Sequence, residues 1–332
     1  MNFTRPLPYL FVLTAVVALG CDDGSSDDAY YSQPGTGGTP GTATGTATGT
    51  ATGTATGTTT GTSTGTATGT ATGSTGGNTG GPVLTDDPPP SGPGTFGNPN
   101  QQGAGSSSDR WQKAQVTRDG VPYAFMANGW GPGFQSQSVN WRGTSFTVVD
   151  MQGKQGPKYE PASYPTVFCG QYSDSASGAC GLPRAISSIS SLKTGWKWQA
   201  SATGQYNAAY DIWLGNGPSV SNHSGFLMVW LRDPAGQRPA GAAQRGGVKV
   251  AGVPGLWDIW VSKLGKPCIS YVRREGNDYP QIEFDAMAFI KDVPTRGLTL
   301  PGNHVLSVAV GFEIWNGPVK NLATQDFYVR VQ

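Results

Sequence analysis

From Gly41 to Gly73 a glycine recurs at every fourth position, with Thr-Ala-Thr between glycines except where Thr59 and Ser63 replace the alanine. No compact structure accommodates such a tract. Glycine and threonine are poor helix formers. Four residues are far fewer than the roughly 20 or more of a solenoid repeat. Threonine methyls bury too little apolar area to offset the lost chain entropy. The tract therefore predicts a flexible, disordered tether. Gly, Ser, Asn and Pro continue to about Ser108, with Pro88-Pro89-Pro90 stiffening the distal part. Some 85 residues of this kind give an r.m.s. reach on the order of 50 Å.

The segment before the tether reads as an address. Arg5 precedes a mostly apolar run, Leu7 to Leu19, which ends in Ala18-Leu19-Gly20-Cys21. A charged n-region, an apolar h-region and small residues at the cleavage point make residues 1–20 a signal peptide. The run falls short of the roughly 20 apolar residues that span a bilayer. The cysteine directly after the glycine resembles a bacterial lipobox. That resemblance implies a lipid on Cys21, export, and anchorage to a bacterial membrane, with 21–109 as the linker.

All ten tryptophans lie at or after Trp111, so the working domain is expected at 110–332, within the size of a single all-β domain. Short alternating runs bounded by Gly, Pro and Asn recur through it, among them 144–151, 166–170, 206–214, 225–231, 257–263, 268–273 and 305–315. Regular short strands with turn signals predict a sandwich or barrel. One helix is expected over Gln281–Val293, where Ile282, Ala286, Met287, Phe289 and Ile290 space near 3.6. Together these predict an all-β, two-sheet jelly roll with one helix on its outer face.

The other chemistries fit poorly. A net charge of +1 gives no footprint for nucleic acid. The two histidines, His223 and His304, make no His-rich metal site, and no Gly-rich phosphate loop opens a helix. His223 falls in a polar hairpin loop and reads as solvated, as do the carboxylates of Asp258 and Asp285. No metal and no cofactor are expected, and the domain is expected to act as a monomer. Cys169 and Cys180 flank a turn-rich segment and predict a disulfide; Cys268 is left over as a buried small hydrophobe.

Alternate residues of a strand share a face. On 206–214 this gathers Asn207, Ala209, Asp211 and Trp213; on 225–231, Phe226, Met228 and Trp230. On 305–315 it gathers Ser307, Ala309, Gly311, Glu313 and Trp315, opposite Leu306, Val308, Val310 and Phe312. The second set is bulky and apolar and reads as core. The first is small, then acidic, then aromatic, which suits a sugar: rings meet the C–H faces of a pyranose while polar groups fix its orientation.

Several segments resemble glycoside hydrolase family 12, the jelly-roll endo-β-1,4-glucanases and xyloglucanases. Ala127-Asn128-Gly129-Trp130-Gly131 is similar to its Asn-x-Trp-Gly motif. Ser163-Tyr164-Pro165, Ile186-Ser187-Ser188-Ile189, Trp196-Lys197-Trp198, Ala209-Tyr210-Asp211, Leu227-Met228-Val229-Trp230-Leu231 and Gly311-Phe312-Glu313 follow in the family's order. The resemblance implies a β-glucan partner, Glu313 as acid/base, Asp211 as its supporting carboxylate, and Asn128, Trp130, Met228, Trp230 and Trp315 as substrate contacts.

One position departs from it. The family's nucleophile is the glutamate two residues before the methionine of Ile-Met-Ile-Trp; here Phe226 stands there. Retaining enzymes need two carboxyls about 5–5.5 Å apart, one of which attacks the sugar, and phenylalanine cannot form the glycosyl ester. Three readings stay open. The domain holds a β-glucan without cutting it. Alternatively Asp211 takes over, as nucleophile or as base for water with Glu313 as acid, which for inversion needs a separation of about 6.5–9.5 Å. Or the site serves another chemistry.

Overall fold

The computed structural model describes residues 96–274 and 278–332. The signal peptide, Cys21 and the repeat tract lie outside the described residues. Two mainly antiparallel sheets dominate, joined by one short helix. Among the described residues the larger sheet is 12-stranded. Its main path runs Gln101–Gln102, Lys113–Arg118, Val121–Met126, Thr166–Tyr172, His304–Gly311, Ala208–Gly215, His223–Arg232, Cys268–Arg273, Trp257–Ser262, Ala242–Val248. The smaller sheet runs Gln281–Asp285, Leu192–Gln199, Val319–Val331, Ser145–Gly153, Phe134–Arg142, Ala104–Ser107. His223–Arg232 and Cys268–Arg273 pair in parallel. This is the expected all-β sandwich.

The sequence alternates because the larger sheet is buried on both faces. Tyr210, Ile212, Leu227, Val229, Val308 and Val310 join Trp196, Trp198, Phe146 and Phe327 in the core between the sheets. The alternate residues Ala209, Trp213, Phe226, Met228, Trp230 and Ala309 join Tyr164, Phe168, Tyr172 and Trp315 in a second cluster on the opposite face. That second face carries the candidate site. Cys169 and Cys180 form the expected disulfide.

Four expectations need correction. Leu306 belongs to the second cluster, not to the core. Trp213 pairs with Ser307 and Leu214 with Val305, so a bulge skips Leu306 and turns it over. The helix begins later than its period suggests. Gln281–Asp285 is a strand paired with Leu192–Gln199, with Ile282 and Phe284 buried, and only Met287–Thr295 is helical. Ile282 satisfies both periods, and the pairing with the neighbouring strand decides. Asp285 is not solvated either: it accepts the Leu192 and Met287 N–H groups, each at 2.9 Å, where strand gives way to helix.

The fourth correction concerns where the domain starts. Gln101–Gln102 and Ala104–Ser107 are already strands, so the folded part includes residues ahead of Arg110. Cys268 is fully buried beside Ser270, as expected.

Candidate active site

A small concavity on the second face is lined by Trp130, Tyr164, Tyr172, Asp211, Met228 and Glu313. Four of the residues singled out in the sequence therefore meet there. Met228 lies directly across from Asp211 on the neighbouring strand. Trp130 reaches the site from the loop after Val121–Met126 and keeps part of its ring exposed.

Glu313 is 8% exposed and tightly oriented. The Asn207 side chain donates through Nδ2 to Glu313 Oε2 and accepts the Glu313 N–H at 2.8 Å, while the Asn207 N–H donates to the Glu313 carbonyl at 3.0 Å. The strand alternation placed Asn207 on this face without revealing this reciprocal grip.

Asp211 is 2% exposed. Its Oδ2 accepts both the Tyr172 hydroxyl and the Trp213 indole N–H, each at 2.9 Å, while Oδ1 has no hydrogen-bond partner among the described residues. Burial pushes its pKa up to about 6, and the bonds from Trp213 and Tyr172 pull the other way. The Tyr172 and Tyr164 hydroxyls are raised well above their ordinary range, first by burial and then by the Asp211 charge. Tyr172 was not visible as a site residue in the sequence; its only signal was its parity with Phe168 and Gly170 on one strand.

Phe226 lies on this face, 2% exposed, and outside the lining of the concavity. Its ring meets Trp213 at 5.5 Å and 88°, and His223 at 4.5 Å and 81°. His223 in turn stacks on Trp213 at 3.9 Å and 10°. This corrects the reading of His223 as a solvated loop residue. It opens the strand His223–Arg232, and its pKa falls to about 3, first by burial and then by Lys266, whose Nζ lies 3.1 Å from its Nδ1.

The remaining candidates flank the concavity without lining it. Trp230 and Trp315 are buried, 5.8 Å apart, and Trp315 Nε1 donates to the Tyr159 carbonyl at 2.9 Å. Asn128 holds a left-handed turn (φ 45°), and its carbonyl accepts the Tyr164 N–H at 2.9 Å, which shapes the approach to Trp130. Arg110, missed in the sequence, brackets Trp130 by donating to the carbonyls of Gly129 at 2.5 Å and Gly131 at 3.3 Å. It also lies over the ring of Trp111, which is 52% exposed. The small residue Gly311 serves packing as well as space, since a Cβ there would sit 2.4 Å from the Pro165 carbonyl. Among the described residues no His, Cys, Asp and Glu side chains group to hold a metal ion.

The family model described as glycosyl hydrolase family 12 matches residues 121–332. The chain belongs to that family. Endoglucanase cel12A from Rhodothermus marinus is 31% identical, with a TM-score of 0.61 over 68% of this chain and 98% of that one. A metagenome-derived family 12 endoglucanase is 26% identical, with a TM-score of 0.61 over 70% and 99%. A xyloglucanase from Bacillus licheniformis, 21% identical with a TM-score of 0.57 over 69% and 100%, shares the fold. Among curated proteins no relative matches.

Proposed function

We propose that this family 12 domain holds a β-1,4-glucan chain in its groove, on a stalk anchored to a bacterial membrane through Cys21, and that double displacement by a carboxylate nucleophile is absent from it. One observation carries the second half. The side chain two residues before Met228 is a phenylalanine whose ring is clasped by Trp213 and His223, so no carboxylate oxygen is supplied from that strand. The first half is supported by the part-exposed Trp130 ring beside two carboxyl groups and by kinship with an endoglucanase. An aromatic face with converging polar groups suits a pyranose. The anchor rests on the lipobox resemblance of residues 18–21.

A second reading is favoured by Asp211. It shares the concavity with Glu313 and keeps Oδ1 without a protein partner. In that reading Asp211 acts as base for a water molecule and Glu313 as acid, with inversion at the anomeric carbon.

The test is direct. The soluble domain is run through native gels containing cellulose derivatives, xyloglucan or mixed-linkage glucan, and reducing ends are assayed in parallel. Retarded migration is expected with at least one glucan; its absence with all of them overturns the binding reading. Release of reducing ends that disappears in Glu313→Gln shows cutting, and inverted product then favours Asp211 as base. Metabolic labelling with a fatty acid, lost in Cys21→Ser, checks the anchor.

A further inference from the structure

With Phe226 in place, a retaining reaction in this groove lacks an attacking oxygen from the strand His223–Arg232. Another oxygen stands close by on the opposite side of Asp211. Tyr172 ends the strand Thr166–Tyr172, its ring is wedged against Trp213 at 4.4 Å and Phe168 at 5.3 Å, and it lines the same concavity as Glu313. That hydroxyl donates to Asp211 Oδ2 at 2.9 Å. A nucleophile bonded to a base, with the base itself oriented by a third group, is the arrangement that activates a weak nucleophile. Here the third group is the Trp213 indole N–H, also 2.9 Å from Oδ2.

We propose that the Tyr172 hydroxyl is the nucleophile of a retaining glycoside hydrolase reaction in this groove, with Asp211 as its base and Glu313 as the acid. The inference rests on the glucan reading above. Tyrosine serves as nucleophile in some glycosidases, so the chemistry is available to a phenol when a carboxylate accepts its proton.

The step balances. The Tyr172 oxygen forms a bond to the anomeric carbon as the bond to the leaving sugar oxygen breaks. The phenol proton passes to Asp211, and the Glu313 proton passes to the leaving oxygen. In the second step Glu313 takes a proton from water, whose oxygen bonds to the anomeric carbon. The tyrosyl oxygen departs and recovers its proton from Asp211. No oxidant, metal or cofactor enters.

Three features fit this assignment. Burial holds Tyr172 well above its ordinary range, so no free phenolate forms and the proton has to move to Asp211 as the bond is made. Asp211 is itself more basic than an ordinary carboxylate, first because it is buried. The titratable groups that bear on Tyr172 are Asp211, Tyr164 and Glu313, with no cation among them to stabilise a standing phenolate.

The experiment traps the intermediate. The protein is incubated with an activated 2-deoxy-2-fluoro-β-cellobioside, digested, and mapped by mass spectrometry, while the anomer released from an activated β-cellobioside is followed by proton NMR. A glycosyl adduct on Tyr172 and β-anomer product are expected. Tyr172→Phe should lose the adduct and lower turnover at least about a hundredfold, while cello-oligosaccharide affinity stays within a few fold and the thermal midpoint within a few degrees. An adduct on Asp211, an inverted product, or turnover undiminished in Tyr172→Phe overturns the proposal. Glucan binding with no turnover and no adduct also overturns it, yet leaves the glucan reading standing. Failure to bind any glucan removes both.

Discussion

The two ends of the acidic pair are built from opposite materials. At one end, Glu313 is gripped by Asn207 through side chain and backbone, a polar clamp that holds a carboxylate in one orientation. At the other, Phe226, Trp213 and His223 form an aromatic knot. Asp211 lines the concavity with Glu313 and takes a bond from the knot through Trp213, while its second oxygen has no hydrogen-bond partner among the described residues. The polar end preserves a group that can move a proton. The aromatic end offers packing and no carboxylate. In the proposed reading, a site loses one chemical role while the geometry of its other roles is kept, because different strands hold them.

The largest effect should come from putting a charge into the knot. Phe226→Glu buries a carboxylate among rings and should cost on the order of 3 kcal/mol or more at pH 7, and less at pH 5 where it takes up a proton. Urea unfolding at the two pH values measures this. The same replacement should raise retaining hydrolysis, and should do so in a Tyr172→Phe background as well. If the double variant stays silent, the knot has closed the position against a nucleophile and not merely replaced one.

Asp211 is next in size. Its pKa is about 6 in the fold against about 3.9 in the unfolded chain. Between those values the folded state binds the proton that the unfolded state releases, so stability falls as pH rises from about 4 to about 6. Two units correspond to about 3 kcal/mol. Asp211→Asn keeps an acceptor for Tyr172 and Trp213, so it should stabilise the domain by up to that amount at pH 7 and flatten the slope between pH 4 and 6. An unchanged slope in denaturation measured across that range would remove Asp211 as its source.

Breaking the polar clamp should be slightly milder. Asn207→Ala leaves the Glu313 N–H and carboxylate without their side-chain partner, at about 2 kcal/mol, read as a lower denaturation midpoint with unchanged slope. The smallest effect is expected at the rim of the knot. His223→Ala removes a stacked ring worth about 0.5–1.5 kcal/mol at pH 7; at pH 5 the loss should shrink or reverse, because the folded imidazole, with its pKa lowered to about 3, stays neutral while the unfolded one takes up a proton.

Much of this was legible in the chain. The strands Ala208–Gly215 and His223–Arg232 could be read residue by residue because side chains alternate strictly between two buried faces, which put Asp211, Met228 and Phe226 on one of them. The bulge at Leu306 broke that rule, and nothing local in Val305-Leu306-Ser307 marks it; it is set by pairing with Trp213 and Leu214. Gln281–Asp285 was misread because Ile282 fits a strand and a helix equally well until its neighbour in the sheet is known. Tyr172 escaped notice, and His223 was read as solvated, for a related reason. Their roles come from rings meeting across strands far apart in sequence, and no spacing along the chain announces such a meeting.

The entry of the chain into the domain has a mechanical meaning. Gln101–Gln102 pairs with Lys113–Arg118 in the larger sheet, and after a single glycine Ala104–Ser107 crosses to pair with Phe134–Arg142 in the smaller one. Tension arriving along the polypeptide from its N-terminal side therefore loads both layers of the sandwich within a few residues. The first contacts it meets are two edge strands, one in each layer.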